Sequence, residues 1–253
     1  MIWKAIGQTI TGTSHLQSER GCEDALSFKT QALPNGDEAL ICCVSDGAGS
    51  AVHAAQASSY TVQTTVQTIT ELLHATGAIE ENNIIEILEQ LYEDLQQMAS
   101  EKEEHINEYS CTLLGAVITE FYALFFQVGD GAIIRDTNPD QYAPVWWPHN
   151  GEYSNTTAFL VDDPNMGHLR IIRLQETIKE IAIFTDGLQL LTLNNESLSV
   201  HQPFFQDLFK WLRMATQEEH LQVLDRKLGE YLNSEPINNR TDDDKTLFLA
   251  TRF

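Results

Sequence analysis

Three apolar, strand-forming segments of this chain each stop at an Asp-Gly pair. They are LICCVSDG, which ends at Asp46-Gly47, ALFFQVGDG, which ends at Asp130-Gly131, and IAIFTDG, which ends at Asp186-Gly187. A fourth segment, DDDKTLFLA (Asp242–Ala250), has the reverse order, because its acids precede the apolar run. One Asp-Gly pair is typical of a turn. Four such strand ends predict that several carboxylates meet at one edge of a sheet structure.

The order of the other segments predicts an α+β fold. PNGDE (Pro34–Glu38) is a hairpin signal between two strand-like segments. Strands are predicted at 3–15, 25–31, 38–46, 111–119, 122–130 and 246–253, and at AIIRD, IIRL and EIAIFTD. Helical spacing is found at 51–75, 82–106 and 203–232, while residues 137–167 are rich in Pro, Asn and Gly. The chain does not show the one-to-one alternation of strands and helices that is typical of a parallel sheet. This order favours antiparallel sheets with helices packed outside.

The charge and the cysteines restrict the partners and the compartment. The chain carries 37 Asp and Glu against 15 Lys and Arg, a formal net charge of −22. Nucleic acids and anionic membrane surfaces bind clusters of Lys and Arg, which this sequence lacks, so we expect neither partner. The four cysteines show no CxxC spacing and are typical of reduced thiols. The N-terminus is unlike a signal peptide, and no run approaches the ~20 apolar residues of a membrane helix. We predict a cytoplasmic protein.

Aspartates at sheet edges are suited to holding hard cations. The strand restrains the backbone, and the following glycine allows a sharp turn that exposes its carbonyl oxygen. Oxygen ligands without Cys or His partners favour Mg²⁺ or Mn²⁺ over zinc. Two such ions can clamp a phosphoryl group and activate a water at neutral pH. The four strand ends are therefore candidates for a metal site that could support phosphate chemistry, although each Asp-Gly pair taken alone could also be only a turn.

Five motifs, in order, resemble those of the type 2C metal-dependent serine/threonine protein phosphatases, in particular their short bacterial branch. They are GTSHLQSERGCEDAL (Gly12–Leu26), VSDGAGSA (Val44–Ala51), QVGDGAIIR, IFTDGL and DDKT. GEYSNTTAFL (Gly151–Leu160) resembles part of the flap of the bacterial members. The resemblance implies a single phosphatase domain over 1–253, with a flap-like segment at about 137–167. The implied fold is a four-layer α-β-β-α sandwich of two antiparallel sheets flanked by helices.

The resemblance also implies a ligand set and a reaction. Asp46 would bridge two Mn²⁺ or Mg²⁺ ions, and Gly47 would supply a carbonyl oxygen. The remaining ligands would be Asp186 and Asp243 for one ion and Glu23 and Asp24 for the other, with Asp244 as a neighbour that binds water. Asp46, Asp186 and Asp243 would act in catalysis through a bridging water. The implied reaction is hydrolysis of a phosphoserine or phosphothreonine ester on a protein, opposed by a Ser/Thr kinase.

Several positions depart from the family pattern. Arg20 is a candidate phosphate ligand but lies one residue closer to the acidic pair than the family spacing, and His15 is a second candidate. Ala48 replaces the histidine that eukaryotic members carry after the bridging Asp-Gly. Asp130 is a candidate ligand of a third ion, although Leu190 stands where some members have an acid.

Two alternative functions stay open at this point. The missing histidine and the displaced arginine suggest a catalytically weak pseudo-phosphatase that binds phosphoproteins, whereas the intact acidic set argues for an enzyme. A small-molecule phosphoesterase is the second alternative, because the chain offers little basic surface for a phosphoprotein.

Overall fold

The computed structural model describes residues 2–148 and 157–252. Within these residues the chain forms two compact units. Unit 1 comprises residues 2–22, 131–148 and 178–252, and unit 2 comprises residues 23–130 and 157–177. Each unit has its own five-stranded sheet, its own helices and its own apolar core.

The secondary structure mixes strands and helices throughout the described residues. The strands are β1 (Trp3–Ile10), β2 (Ala25–Ala32), β3 (Glu38–Ser45), β4 (Leu113–Ile118), β5 (Ala123–Val128), β6 (Ala132–Asn138), β7 (Gln141–Pro144), β8 (Arg170–Leu174), β9 (Glu180–Phe184), β10 (Leu193–Asn194), β11 (Ser199–Val200) and β12 (Lys245–Arg252). The helices are α1 (Thr13–Gln17), α2 (Ala54–Thr76), α3 (Glu81–Glu101), α4 (Gln189–Thr192), α5 (Gln202–Met214), α6 (Glu218–Leu232) and α7 (Glu235–Asn238), with 3₁₀ turns at Ile106–Tyr109 and Asp186–Leu188.

Both five-stranded sheets are antiparallel. The sheet of unit 1 has the order β1-β12-β9-β6-β7, and the sheet of unit 2 has the order β2-β3-β4-β5-β8. Residues 39–44 of β3 are fully buried on both faces. Strands buried in this way appear in a sequence as continuous apolar runs without alternation, which explains LICCV. The predicted α+β class with antiparallel sheets and helices is confirmed.

Each core is built from the apolar stripe of two helices and one sheet. In unit 2, α2 and α3 contribute Val62, Ile69, Leu73, Leu88, Leu91 and Leu95, which pack with Ile41 and Cys43 of β3. In unit 1, α5 and α6 contribute Phe205, Phe209, Leu228 and Leu232, which pack with Phe184 and Leu249. Burial of these stripes is the main source of helix stability, since short helices are marginal alone.

Two predicted helical segments end earlier than their sequence patterns suggest. The helix predicted over 82–106 stops at Glu101, because Glu103 adopts a left-handed backbone (φ 59°) and the amide of Glu104 returns to the carbonyl of Ala99 (2.9 Å). The region predicted over 203–232 consists of two helices, because Ala215 is extended. No Gly or Pro marks that break, so helical spacing alone missed it.

Two predictions of irregular or extended chain are also corrected. The strand predicted over 3–15 ends at Ile10, and Thr13–Gln17 is helical, because the amide of Ser14 donates to the carbonyl of Asp242 (2.9 Å) and leaves the sheet ladder. The loop predicted over 137–167 contains β7, which pairs with β6 through a turn at Asp140 (φ 57°). Residues 149–156 of this segment, which include much of the GEYSNTTAFL motif, lie outside the described residues.

Two further findings concern the hydropathy of the helices and the pairing of the cysteines. Among the described residues, no helix combines the length and apolarity needed to cross a bilayer. All four cysteines are described and none forms a disulfide.

Candidate active site

In unit 2, the ends of three strands carry the predicted ligands to one edge of the sheet. The register pairs Ala25 with Ser45, so Glu23-Asp24 and Asp46-Gly47 lie at the same end of the β2–β3 pair. Glu23 and Asp24 are both buried, with 7% of each residue exposed. The predicted meeting of carboxylates at a sheet edge is therefore found for these three acids.

Hydrogen bonds fasten the Asp46-Gly47 turn to the neighbouring chain. The amide of Gly47 donates to the carbonyl of Glu23 (3.1 Å), and that carbonyl also accepts from the hydroxyl of Ser58 (2.6 Å). A Cβ at position 47 would lie 2.7 Å from the carbonyl oxygen of Ala54 and 2.8 Å from that of Glu23. Only glycine fits this close approach, so the turn that follows Asp46 is sterically specified.

Thr112 holds the backbone of Asp46 from the adjacent strand. The amide of Asp46 donates to the hydroxyl of Thr112 (2.8 Å), and the amide of Thr112 donates to the carbonyl of Asp46 (2.8 Å). The β4–β5 register pairs Leu113 with Val128, which brings Gly129-Asp130 to the same edge. The side chain of Asp130 accepts a hydrogen bond from Thr157 (2.5 Å). Sequence inspection found Asp130 but missed Thr112, which carries no recognisable local signal.

In unit 1, the second set of predicted residues also gathers at one sheet edge. The register pairs Phe184 with Leu247 and Ile10 with Lys245, so the end of β9, the start of β12 and the end of β1 coincide. A Cβ at Gly187 would lie 2.0 Å from the carbonyl oxygen of Asp244, which places the Asp186-Gly187 turn directly against the terminal acidic segment.

Asp244 anchors the segment after β1 that includes α1 and carries His15. One carboxylate oxygen of Asp244 accepts from the amide of Gly12 (2.6 Å), and the other lies 3.0 Å from Nδ1 of His15. Asp244 is 2% exposed, so both contacts are shielded from water. A carboxylate accepts hydrogen bonds, which orients the imidazole with its Nδ1–H toward Asp244. The backbone amide of Arg20 donates to the carbonyl of His15 (2.8 Å), so Arg20 lies in the same segment.

The donor set fits a hard divalent cation. Burial raises the pKa of the Asp243 carboxyl, and the neighbouring charges of Asp244 and Asp242 raise it further. A bound cation would offset both effects, since it favours the ionised form. Carboxylate and carbonyl oxygens without Cys or His are the ligands of Mg²⁺ and Mn²⁺. Among residues 2–148 and 157–252, no three His, Cys, Asp or Glu side chains are arranged as a metal centre, so the ligand set stays a prediction.

Comparison with known proteins identifies the family. The family model "Protein phosphatase 2C" matches residues 11–233. The serine/threonine-protein phosphatase 3 of Escherichia coli K12 is 31% identical over 255 residues, which cover 99% of this chain and 98% of that protein. The chain belongs to the protein phosphatase 2C family. The resemblance seen in the five motifs is thereby confirmed, as is the predicted enzyme class.

Solved structures of this family share the fold. A bacterial serine phosphatase aligns with a TM-score of 0.65 at 18% identity, over 99% of this chain and 98% of that one. The serine/threonine phosphatase Stp1 from Staphylococcus aureus aligns with a TM-score of 0.64 at 20% identity, over 100% and 96%. At such identities the likeness concerns the fold of this phosphatase 2C member alone.

Proposed function

We propose that this protein phosphatase 2C member hydrolyses phosphoserine and phosphothreonine esters on protein substrates with the help of Mn²⁺ or Mg²⁺. The observation that supports the proposal is the gathering of the motif carboxylates at one sheet edge in each unit. The family match over 11–233 includes residues of both units, which supports a single phosphatase domain over 1–253.

The proposed ligands are oxygen donors from the strand ends. Asp46 would serve two ions, and Gly47 would offer its carbonyl oxygen. The other proposed ligands are Asp186 and Asp243 for one ion, Glu23 and Asp24 for the second, and Asp130 for a third. Bound ions of this kind supply positive charge to the phosphoryl oxygens and lower the pKa of the attacking water. The protein contributes a fixed arrangement, because the Asp46-Gly47 and Asp186-Gly187 turns are held by backbone hydrogen bonds and close packing.

We assign substrate phosphate binding to Arg20 and His15. The guanidinium of arginine matches a phosphate with two parallel hydrogen bonds. The buried Asp244 sets the orientation of the His15 ring, which prepares the imidazole to hydrogen-bond a phosphate oxygen. Both residues lie in the segment between β1 and β2, His15 within α1 and Arg20 after it. No histidine follows the Asp46-Gly47 turn, so protonation of the leaving group falls to another donor.

The expected setting follows from the substrate class. A phosphatase acting on phosphoproteins implies an opposing Ser/Thr kinase. We place both in the cytoplasm, since the cysteines are not in disulfides and reduced thiols are typical of that compartment.

The test measures phosphate release by metal-free protein with and without added Mn²⁺. The substrates are p-nitrophenyl phosphate and a phosphothreonine peptide, and the variants are Asp46→Asn and Asp243→Asn, one in each unit. Glu89→Gln, an exposed carboxylate on α3, is the matched control. We expect Mn²⁺-dependent turnover in the wild type and in the control. In both site variants turnover should fall at least ~100-fold, which is the upper end of the losses seen when outer-shell partners of a metal are replaced.

Each other outcome selects a different function. Turnover of the small ester without turnover of the peptide would indicate a small-molecule phosphoesterase. Binding of Mn²⁺ without release of phosphate from either substrate would refute the enzyme and indicate a pseudo-phosphatase. Equal activity in Asp46→Asn and wild type would refute the assigned ligand set.

A further inference from the structure

An open apolar cleft lies between α5, α6 and the sheet of unit 1. Its volume is about 420 Å³, which falls within the range of small-molecule sites. The floor is formed by the buried side chains of Ile6, Leu212, Leu228 and Leu249. On one side, Asp225 fastens α6 to β1 through the amide of Gly7 (2.9 Å). The cleft is therefore a preformed feature of the helix pair and the sheet.

The rim of this α5–α6 cleft combines aromatic rings with positive charge. Trp211 is 57% exposed and Tyr231 is 40% exposed, an unusual exposure for large rings that line a cavity. Lys227 is the charged residue among the described lining residues. Residues 202–240 carry five Lys or Arg against six Asp or Glu, whereas the whole chain carries 15 against 37. The segment that forms the two helices is therefore nearly balanced in charge, unlike the acidic chain as a whole.

We propose that the α5–α6 cleft binds a small amphipathic anion, with its apolar body on the floor and its carboxylate at Lys227. The charge of Lys227 selects the anion, and the apolar floor rejects polar ions. The residues that form this site are separate from the predicted metal ligands. The inference is therefore independent of the proposed function.

The test uses octanoate as the probe and 1-octanol as its neutral counterpart. The indole N–H signal of Trp211, assigned with Trp211→Phe, is followed by NMR during titration of the full chain. We expect octanoate to shift this signal and to bind about fivefold more tightly than octanol, a typical gain for one exposed ion pair. Lys227→Gln should remove that difference.

Three results would overturn the proposal. The first is a Trp211 signal that does not change at about 1 mM octanoate, a concentration at which even weak binding is detected. The second is an equal affinity for octanoate and octanol. The third is a preference for octanoate that is undiminished in Lys227→Gln. Binding reported only by the other tryptophans would place the ligand elsewhere and refute the cleft.

A second inference concerns Thr112 and rests on the proposed metal site. The hydroxyl of Thr112 accepts from the amide of Asp46, while its methyl group occupies the space where a Cβ of Gly129 would lie, 2.5 Å away. Gly129 has φ +111° and immediately precedes Asp130. One side chain thus contacts the backbone of the predicted ligand Asp46 and of Gly129, the residue that precedes the predicted ligand Asp130. We infer that Thr112 is a positioning residue that sets Asp46 relative to the Asp130 turn.

Two substitutions separate the roles of this side chain. Thr112→Val keeps the shape but removes the acceptor, and Thr112→Ser keeps the acceptor but removes the methyl group. Isothermal titration of metal-free protein with Mn²⁺ measures the affinity without reference to turnover. We expect affinity in Thr112→Val to fall ~10-fold or more, as for other outer-shell partners, and in Thr112→Ser to stay within about threefold.

The failure modes are distinguishable. If wild type binds no Mn²⁺, the proposed function fails; if wild type and Thr112→Val bind it equally, only the role of Thr112 fails. If Thr112→Val does not fold, the role of Thr112 is tested instead by hydrogen exchange of the Asp46 backbone amide in the wild-type protein. Exchange that slows on addition of Mg²⁺ supports the role, and exchange that stays constant overturns it.

Discussion

The Arg213–Glu180 pair in unit 1 offers a quantitative test of how the fold holds a buried charge. Glu180 begins β9 and is 2% exposed. Arg213, at the end of α5, donates from Nε (2.8 Å) and Nη2 (2.5 Å) to its two carboxylate oxygens. The hydroxyls of Tyr142 (2.7 Å) and Thr251 (3.0 Å) donate as well. The hydrogen bond to Glu180 and the proximity of Asp140 raise the pKa of Arg213, which stays charged.

Replacement of this arginine by leucine should destabilise unit 1 strongly. In Arg213→Leu the buried carboxylate keeps two neutral donors and loses its counter-charge. Removing one partner of a buried pair costs about 3–5 kcal/mol. At about 2–4 °C per kcal/mol for a chain of this size, the melting temperature should fall by roughly 6–20 °C. Calorimetry of the metal-free protein measures the shift without interference from ligand binding.

The double variant Glu180→Gln/Arg213→Leu tests the reasoning. Because it removes the unpaired buried charge, it should recover at least half of the loss. A single variant that costs less than about 1 kcal/mol, the value of an exposed pair, would show that water reaches Glu180. A double variant less stable than Arg213→Leu would show that packing of the arginine stem, and not its charge, is the stabilising contribution.

Three further predictions concern glycine packing and thiol chemistry. Gly187→Ala should abolish most phosphatase activity, because the new Cβ would meet the carbonyl oxygen of Asp244 at 2.0 Å; unchanged activity with unchanged Mn²⁺ affinity would contradict this. Gly115→Ala should destabilise unit 2 by about 1–3 kcal/mol, since its Cβ would overlap the ring of Phe126; combining it with Phe126→Leu should restore stability in urea titrations. With a disulfide reagent at pH 8, native protein should react at Cys22 alone and unfolded protein at all four thiols. Burial raises the pKa of the thiols of Cys42, Cys43 and Cys111, so these three thiols stay protonated. Their rapid reaction in the native protein would contradict this prediction.

Local chemistry made much of the fold predictable. The apolar runs at 38–46 and 181–185 became β3 and β9 because β-branched and aromatic residues with no helical spacing suit a buried strand. The hairpin at Pro34–Glu38 was readable because Asn-Gly-Asp prefers the turn that joins antiparallel strands; Gly36 there has φ +89°. Helix ends were read less well, as at Glu101, because a left-handed residue other than glycine leaves no compositional mark.

The candidate site likewise contains residues that the sequence revealed and contacts that it did not. Asp46, Asp130 and Asp186 were recognisable because each follows an apolar run and precedes glycine. The contact of Thr112 with Asp46, and the hydrogen bond that the amide of Gly12 donates to Asp244, were not recognisable, since each joins positions at least 66 residues apart. Such contacts depend on which strands become neighbours, and no window of sequence contains that information.

By itself, the sequence determined the residue types at the strand ends, the oxygen-only chemistry they can support, and the family to which the chain belongs. The tertiary structure decided that β12 lies between β1 and β9, that α5 and α6 leave an open cleft, and that Asp244 holds the segment that carries His15. The physical reason is the separation along the chain over which each kind of interaction acts. Turn chemistry and strand propensity act between neighbours in the chain, whereas strand order, cavities and buried polar pairs follow from packing between distant segments.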